Sequence, residues 1–127
     1  MQSPFQGSSA TIPANLDKLI TLINEHCLTE HRPAFYADKL HVSLKALSNA
    51  SRKYFKKSLS SLINEKLLLK AKWQLLHSDD PVKQIADALG FADEYYFSRF
   101  FKKHIGLSPK LFREKEWEIR KGYLSIP

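Results

Sequence analysis

Two sets of side chains in this 127-residue chain share a spacing suited to hydrogen bonding along a nucleic-acid groove. Lys45, Ser48, Asn49 and Arg52 stand at i, i+3, i+4 and i+7, and Tyr95, Ser98, Arg99 and Lys102 repeat that order at an offset of 50. On a helix, each set occupies one face. Leu47, Ala50, Ser51 and Tyr54 fall on the other side of the first segment, and the buried types Phe97, Phe100, Phe101 and Ile105 on the other side of the second. The outer sets carry donors and acceptors that match base edges. Arg99 can donate to guanine O6 and N7 together, Asn49 can pair with adenine N6 and N7, and Tyr95 or Lys45 can add thymine-methyl or guanine contacts. Each good pair discriminates between bases by ~1–3 kcal/mol.

Arg52, Lys53, Lys56, Lys57, Lys102 and Lys103 come later in the same segments or just beyond, where contact with phosphate is expected rather than contact with bases. Ser43 and Ser108, at the starts of two predicted helices, complete the expected phosphate set. The charge distribution agrees. Between residues 45 and 72, eight basic residues (Lys45, Arg52, Lys53, Lys56, Lys57, Lys66, Lys70, Lys72) face Glu65 alone, a balance of +7 that equals the formal excess of the whole chain. A segmental excess is the footprint of an anionic partner, whereas a diffuse one would only favour solubility.

Other chemistries find no support in the residues. His26, Cys27 and His31 are spaced by one and five, which does not put them on one helical face, and no carboxylate pair completes a metal site. A phosphate-cradling glycine loop, a nucleophile elbow and HExxH are all missing, so neither catalysis nor a cofactor is expected. Cys27 is the only cysteine, which excludes an internal disulfide and fits a reducing cytoplasm. No apolar run approaches the ~20 residues of a membrane span, and residues 1–10 do not resemble a signal peptide.

The elements that must hold these residues read as helices throughout. Leu, Lys, Ala and Glu dominate, strand-like runs of Val, Ile and Thr are absent, and 4 Gly and 6 Pro mark breaks. An all-α fold of about seven helices follows. Residues 1–14, rich in Ser, Gly, Gln and Pro, read as a flexible linker or the remnant of something larger. Asn15 caps a helix with the apolar stripe Leu16, Leu19, Ile20, Leu22 and Ile23, ending before Pro33. A short helix from Pro33 to Leu40 breaks at His41 and Val42, and a second runs from the Ser43 cap to about Phe55. A long helix from the Ser58 cap reaches Ser78. Pro81 opens another short helix to Leu89, Gly90 breaks it, and Asp93 caps a helix to about Ile105. Gly106 ends that one, and Ser108 with Pro109 starts a last helix to roughly Glu118. The predicted domains are 15–78, a first helix-turn-helix subdomain with its linking helix, and 79–118, a second such subdomain, followed by a tail over 119–127.

The second half repeats the first. Ala37 and Leu40 recur as Ala86 and Leu89 at an offset of 49; Ser43, Leu47, Ser48 and Ser58 then recur as Asp93, Phe97, Ser98 and Ser108 at an offset of 50. A short helix, a tight break and a second capped helix make the helix-turn-helix, whose second helix (about 43–55 and 93–105 here) enters a major groove. A linking helix of about 18 residues would be ~27 Å long. That length suits two readers about one duplex turn, ~34 Å, apart.

The segment IADALGFADEYYFSRFFKKHIGLSPKLFR closely resembles the second half of the AraC/XylS-type DNA-binding domain, and FYADKLHVSLKALSNASRKYF with LINEKLLLKAKWQLL extends the likeness over about residues 33–118. The resemblance implies seven helices, a bacterial transcription-factor role, and base contacts from Lys45, Ser48, Asn49, Glu94, Tyr95, Ser98 and Arg99. It further implies double-stranded DNA and RNA polymerase as partners, and a sensor or dimerisation domain preceding this module in a longer regulator. Two positions depart from the family pattern: Lys56 stands where a helix-ending glycine is usual, and Ser51 where a large apolar residue is usual. The alternative reading from the residues alone is a helical protein-interaction module with a basic face. Leu69, Trp73 and Leu76 form a second apolar stripe on the linking helix, to be covered either by the Leu16–Ile23 stripe or by a partner.

Overall fold

The computed structural model describes residues 4–124, with side chains placed for residues 15–116 and for Glu118. The described chain is helical and contains no strand. Its elements are α1 (Pro4–His26), α2 (Pro33–Lys39), α3 (Leu44–Phe55), α4 (Leu59–His77), α5 (Val82–Ala88), α6 (Glu94–Ile105) and α7 (Pro109–Leu124). The all-α, seven-helix architecture expected from the sequence is the one observed.

Two ends differ. The first helix begins at Pro4, not at an Asn15 cap, so residues 4–14 are helical where a flexible linker was expected. Their composition favours a linker, but a helix anchored by the buried Leu16, Leu19 and Ile23 lengthens one hydrogen bond at a time without a new nucleation cost. Likewise α7 continues past Glu118 to Leu124, into the expected tail.

The chain packs as two compact units, one up to Lys66 and one from Leu67 onward, so their boundary falls inside α4. In the first unit, Leu16, Leu19, Ile23 and Cys27 of α1 and the loop after it are buried, as are Tyr36, Ala37, Leu47, Leu59 and Ile63. Tyr36 is wholly enclosed and donates its hydroxyl to the Glu30 carbonyl at 2.8 Å, fixing the loop between α1 and α2. Burial pushes its phenol up to about 12, with Cys27 and Glu30 adding to the effect.

The second unit is built around Leu67, Ala71 and Leu75 of α4, Ile85, Ala86 and Leu89, and the aromatic set Phe97, Phe101 and Phe112. Phe101 packs against both Phe97 and Phe112, at ring separations of 5.9 and 5.3 Å. Arg113 of α7 donates from Nε to the Leu75 carbonyl (3.0 Å) and from Nη2 to the Ser78 carbonyl (3.2 Å). These carbonyls at the end of α4 have no helical partner, and the guanidinium supplies one.

Both helix-turn-helix turns close the same way. The Val42 N–H donates to the Ala37 carbonyl and the Phe91 N–H to the Ala86 carbonyl, at 3.1 and 3.0 Å. Each closure needs a left-handed residue, which is His41 (φ 57°) in the first turn and Gly90 (φ 84°) in the second.

Candidate nucleic-acid interface

Each reader helix starts from a side-chain cap. The Ser43 hydroxyl oxygen accepts from the Ala46 N–H at 3.0 Å, and the Asp93 carboxylate accepts from the Tyr96 N–H at 2.9 Å. Such caps satisfy donors that the first turn leaves open, and they fix which residue begins the helix. The faces that turn outward are thereby set. Residue by residue, the pattern of burial over 43–55 is the same as over 93–105, with Leu47 and Ser51 enclosed in α3 and Phe97 and Phe101 in α6.

On both helices the outer face carries the expected residues. Lys45 and Asn49 are exposed and Ser48 half-buried on α3; Glu94, Tyr95 and Arg99 are exposed and Ser98 half-buried on α6. Arg52, Lys53, Lys56, Lys57, Lys102 and Lys103 are exposed at the C-terminal ends of the two helices. Lys45, Arg52 and Lys53 meet no carboxylate at ion-pair distance among the described residues. Lys57 does: its Nζ lies 2.9 Å from Glu65, the single acid of the basic segment. Lys56 turns its Nζ onto the Lys53 carbonyl at 3.0 Å. The Ser108 oxygen accepts from the Leu111 N–H at 3.2 Å and, like Ser43, keeps an O–H for donation.

Tyr54 belongs to this surface rather than to the core. It is 47% exposed, with the Lys53 ammonium 5.4 Å from its ring centre. Its seven-residue spacing from Leu47 predicts the inner side, but the buried line advances by four, through Leu47, Ser51 and the half-buried Phe55. Residue 54 lies about 100° from residue 55 around the helix, so the line has rotated away from it by the last turn.

The two readers end differently. Gly106 stops α6 at φ 92°, whereas Lys56 stops α3 at φ 61°, a left-handed conformation that its Cβ disfavours. At the Ser51 position, where α6 has Phe101, the hydroxyl donates to the Lys57 carbonyl at 2.8 Å. A polar bond thus holds the end of α3 where an aromatic ring holds α6.

Leu69 and Trp73 of α4 stand 60% and 59% exposed, and Trp73 packs on His77 of the next turn. Of the Leu16–Ile23 stripe expected to cover them, Leu16, Leu19 and Ile23 are enclosed in the core of the first unit, while Ile20 is itself exposed. Among the described residues there is no group of three His, Cys, Asp or Glu able to hold a metal, and no helix long and apolar enough to cross a membrane.

Residues 36–115 match the helix-turn-helix domain family. The RhaS transcriptional activator of Escherichia fergusonii is 33% identical over 101 residues, which are 80% of this chain and 36% of that protein. The chain therefore spans little more than a third of that relative's length. The C-terminal domain of AraT, a response regulator from Geobacillus stearothermophilus, superposes with a TM-score of 0.76 at 27% identity, covering 80% of this chain and 84% of that one. The DNA-binding domain of AdpA, solved in complex with a target DNA, shares the fold with a TM-score of 0.76 at 20% identity, over 84% of this chain and 96% of that one. With the family match covering more than half of its residues and the paired turns and readers in place, the chain belongs to the AraC-type helix-turn-helix family.

Proposed function

We propose that this chain binds double-stranded DNA sequence-specifically and controls transcription, with α3 and α6 each entering a major groove. The observation that carries this reading is the matched outer faces: two helices with the same burial pattern present Lys45, Ser48 and Asn49 on one and Glu94, Tyr95, Ser98 and Arg99 on the other. These seven residues form the reading set, and Arg99 and Asn49 have the two-point geometry that distinguishes bases. Arg52, Lys53, Lys56, Lys57, Lys102, Lys103, Ser43 and Ser108 hold phosphates and set register without specifying sequence. For Lys57, phosphate has to displace Glu65. The AdpA complex with DNA supports the choice of ligand.

The module acts within a longer cytoplasmic regulator, in which a preceding sensor or dimerisation domain supplies the signal and RNA polymerase receives the output. The fraction of RhaS that the chain spans supports this division of labour. Regulation, not catalysis, is its role.

Selection of preferred sites from random duplexes, followed by binding measurements over a range of salt, tests the proposal. A preferred sequence should emerge, and log K should fall linearly with log salt. Arg99→Ala should weaken the preferred duplex more than a random one, and Lys53→Ala should weaken both and reduce the salt slope by about 1. Equal affinity for preferred and random duplexes, or binding indifferent to salt, would return the reading to a basic-faced protein-interaction module.

A further inference from the structure

On the outer face of α6, Tyr95 and Arg99 lie one turn apart and touch. The Arg99 Nη1 donates to the Tyr95 hydroxyl at 3.2 Å, and its guanidinium carbon sits 5.5 Å from the Tyr95 ring centre. Tyr95 is itself steadied edge-on by Tyr96, with ring centres 5.9 Å apart. Both partners of the pair are exposed, so the contact is not forced by a surrounding core. It is an i, i+4 interaction made on the face that meets DNA.

Which nitrogen is engaged decides what remains. A guanidinium has an end edge, Nη1 with Nη2, and a side edge, Nε with Nη2. With Nη1 held by the tyrosine, the side edge is left with two parallel N–H groups. Arg113 of the same unit shows what that edge can do, because its Nε and Nη2 satisfy two carbonyl oxygens at 3.0 and 3.2 Å. Guanine offers O6 and N7 in the matching arrangement. The equivalent positions on α3 are Lys45 and Asn49, which supply neither a phenol nor a guanidinium.

We infer that Tyr95 is a positioning residue: its hydroxyl holds Arg99 with the Nε–Nη2 edge turned outward, so guanine selectivity in the second reader belongs to the pair. Arg99 then loses less side-chain freedom on binding than a lone surface arginine would. This inference rests on the reading of α6 as the groove-entering helix. Tyr95 keeps its ring for contact with a neighbouring base; the hydroxyl acts through Arg99.

The test uses the full chain, a duplex of its preferred sequence, and the set of duplexes with each base pair replaced in turn. Arg99→Ala identifies the base pair whose preference depends on Arg99. Tyr95→Phe, which keeps the ring and removes only the hydroxyl, should lower guanine discrimination at that same pair about threefold. It should leave every other pair and the thermal midpoint unchanged, and it should have no effect in the Arg99→Ala background. If Tyr95→Phe discriminates like the wild type while Arg99→Ala does not, the positioning role is overturned and base reading by α6 stands. If Tyr95→Phe still weakens binding in the Arg99→Ala background, the hydroxyl touches DNA itself and the role is likewise overturned. If Arg99→Ala leaves every base preference intact, the underlying reading of α6 fails.

Discussion

Lys56→Gly should stabilise the first unit by a few tenths of a kcal/mol, up to about 1 kcal/mol. Lys56 sits at φ 61° and ψ 25°, where the Cβ of an L-residue costs ~1–2 kcal/mol. Glycine removes that cost but regains backbone freedom in the unfolded chain, worth about 0.4–1 kcal/mol in the other direction. The exposed bond from Lys56 Nζ to the Lys53 carbonyl is also lost, a contribution near the bottom of the usual range. The reciprocal change isolates the conformational part. A Cβ built on Gly106 meets nothing within 4 Å, so Gly106→Lys imposes the left-handed penalty on the second unit without a clash. Native-state hydrogen exchange of the full chain reads both: α3 amides should gain protection in Lys56→Gly, and α6 amides should lose it in Gly106→Lys. A 1 kcal/mol change in a unit of this size corresponds to roughly 4–8 °C in Tm. A Gly106→Lys variant as stable as the wild type would refute the strain argument, whatever Lys56→Gly did. Because Lys56 is also proposed to hold phosphate, the stabilised variant should bind DNA more weakly and with a smaller salt slope.

Ser51→Ala removes the hydroxyl bonded to the Lys57 carbonyl and should cost about 1 kcal/mol in a urea titration; an unchanged midpoint would mean that water serves that carbonyl equally well. Tyr36 gives a pH signature. Because folding raises its phenol from 10.0 to about 12, the neutral form is the stabilised one, and that contribution is complete below pH 10 and lost as pH climbs through 12. Tyr36→Phe should cost about 1 kcal/mol at neutral pH through the lost bond to the Glu30 carbonyl, and the gap between variant and wild type should narrow from pH 10 to 12; a gap constant across that window would contradict the burial argument. Trp73→Glu should leave the denaturation midpoint within about 0.5 kcal/mol of the wild type, since the indole is exposed; unfolding of the variant would show that Trp73 is covered in solution.

Features set by neighbouring residues in the chain are readable from sequence, and those set by side chains meeting later are not. The Ser43, Asp93 and Ser108 caps and the Gly106 stop each depend on a few adjacent residues, and each is where local chemistry places it. Ser51 and Lys56 stand out as departures in a repeat, yet sequence does not disclose that the Ser51 hydroxyl reaches six residues on to the Lys57 carbonyl. The Lys57–Glu65 pair joins the end of α3 to α4, so a reading by helical face cannot see it and credits Lys57 as an unpaired cation. Tyr54 is misplaced because seven-residue spacing describes a straight stripe, whereas the packed line drifts around the helix. The helical start at Pro4 is invisible to composition, because extension from a packed segment needs no strong helix formers.

The repeat is symmetrical in backbone and unequal in how each copy is held. At the two left-handed positions the second unit has Gly90 and Gly106, while the first has His41 and Lys56. Inside the readers, Phe100 and Phe101 of α6 correspond to Ala50 and Ser51 of α3, so the first helix has less apolar area against its neighbours. Both differences lower the stability of the first unit, and both arise where the sequence departs from its own repeat. The first reader is also the more strongly charged, with Lys45, Arg52, Lys53, Lys56 and Lys57 and no acid over residues 43–57, whereas Arg99, Lys102 and Lys103 are offset by Asp93 and Glu94 over 93–107. Its Lys45 and Asn49 stand where the second has the Tyr95–Arg99 contact. A reader held loosely and charged strongly gains more from phosphates than from a fixed set of base edges. A reader packed on aromatic rings with its arginine oriented gains more from bases. Base substitutions under α6 should therefore change affinity more steeply than those under α3, and added salt should weaken the contacts of α3 first.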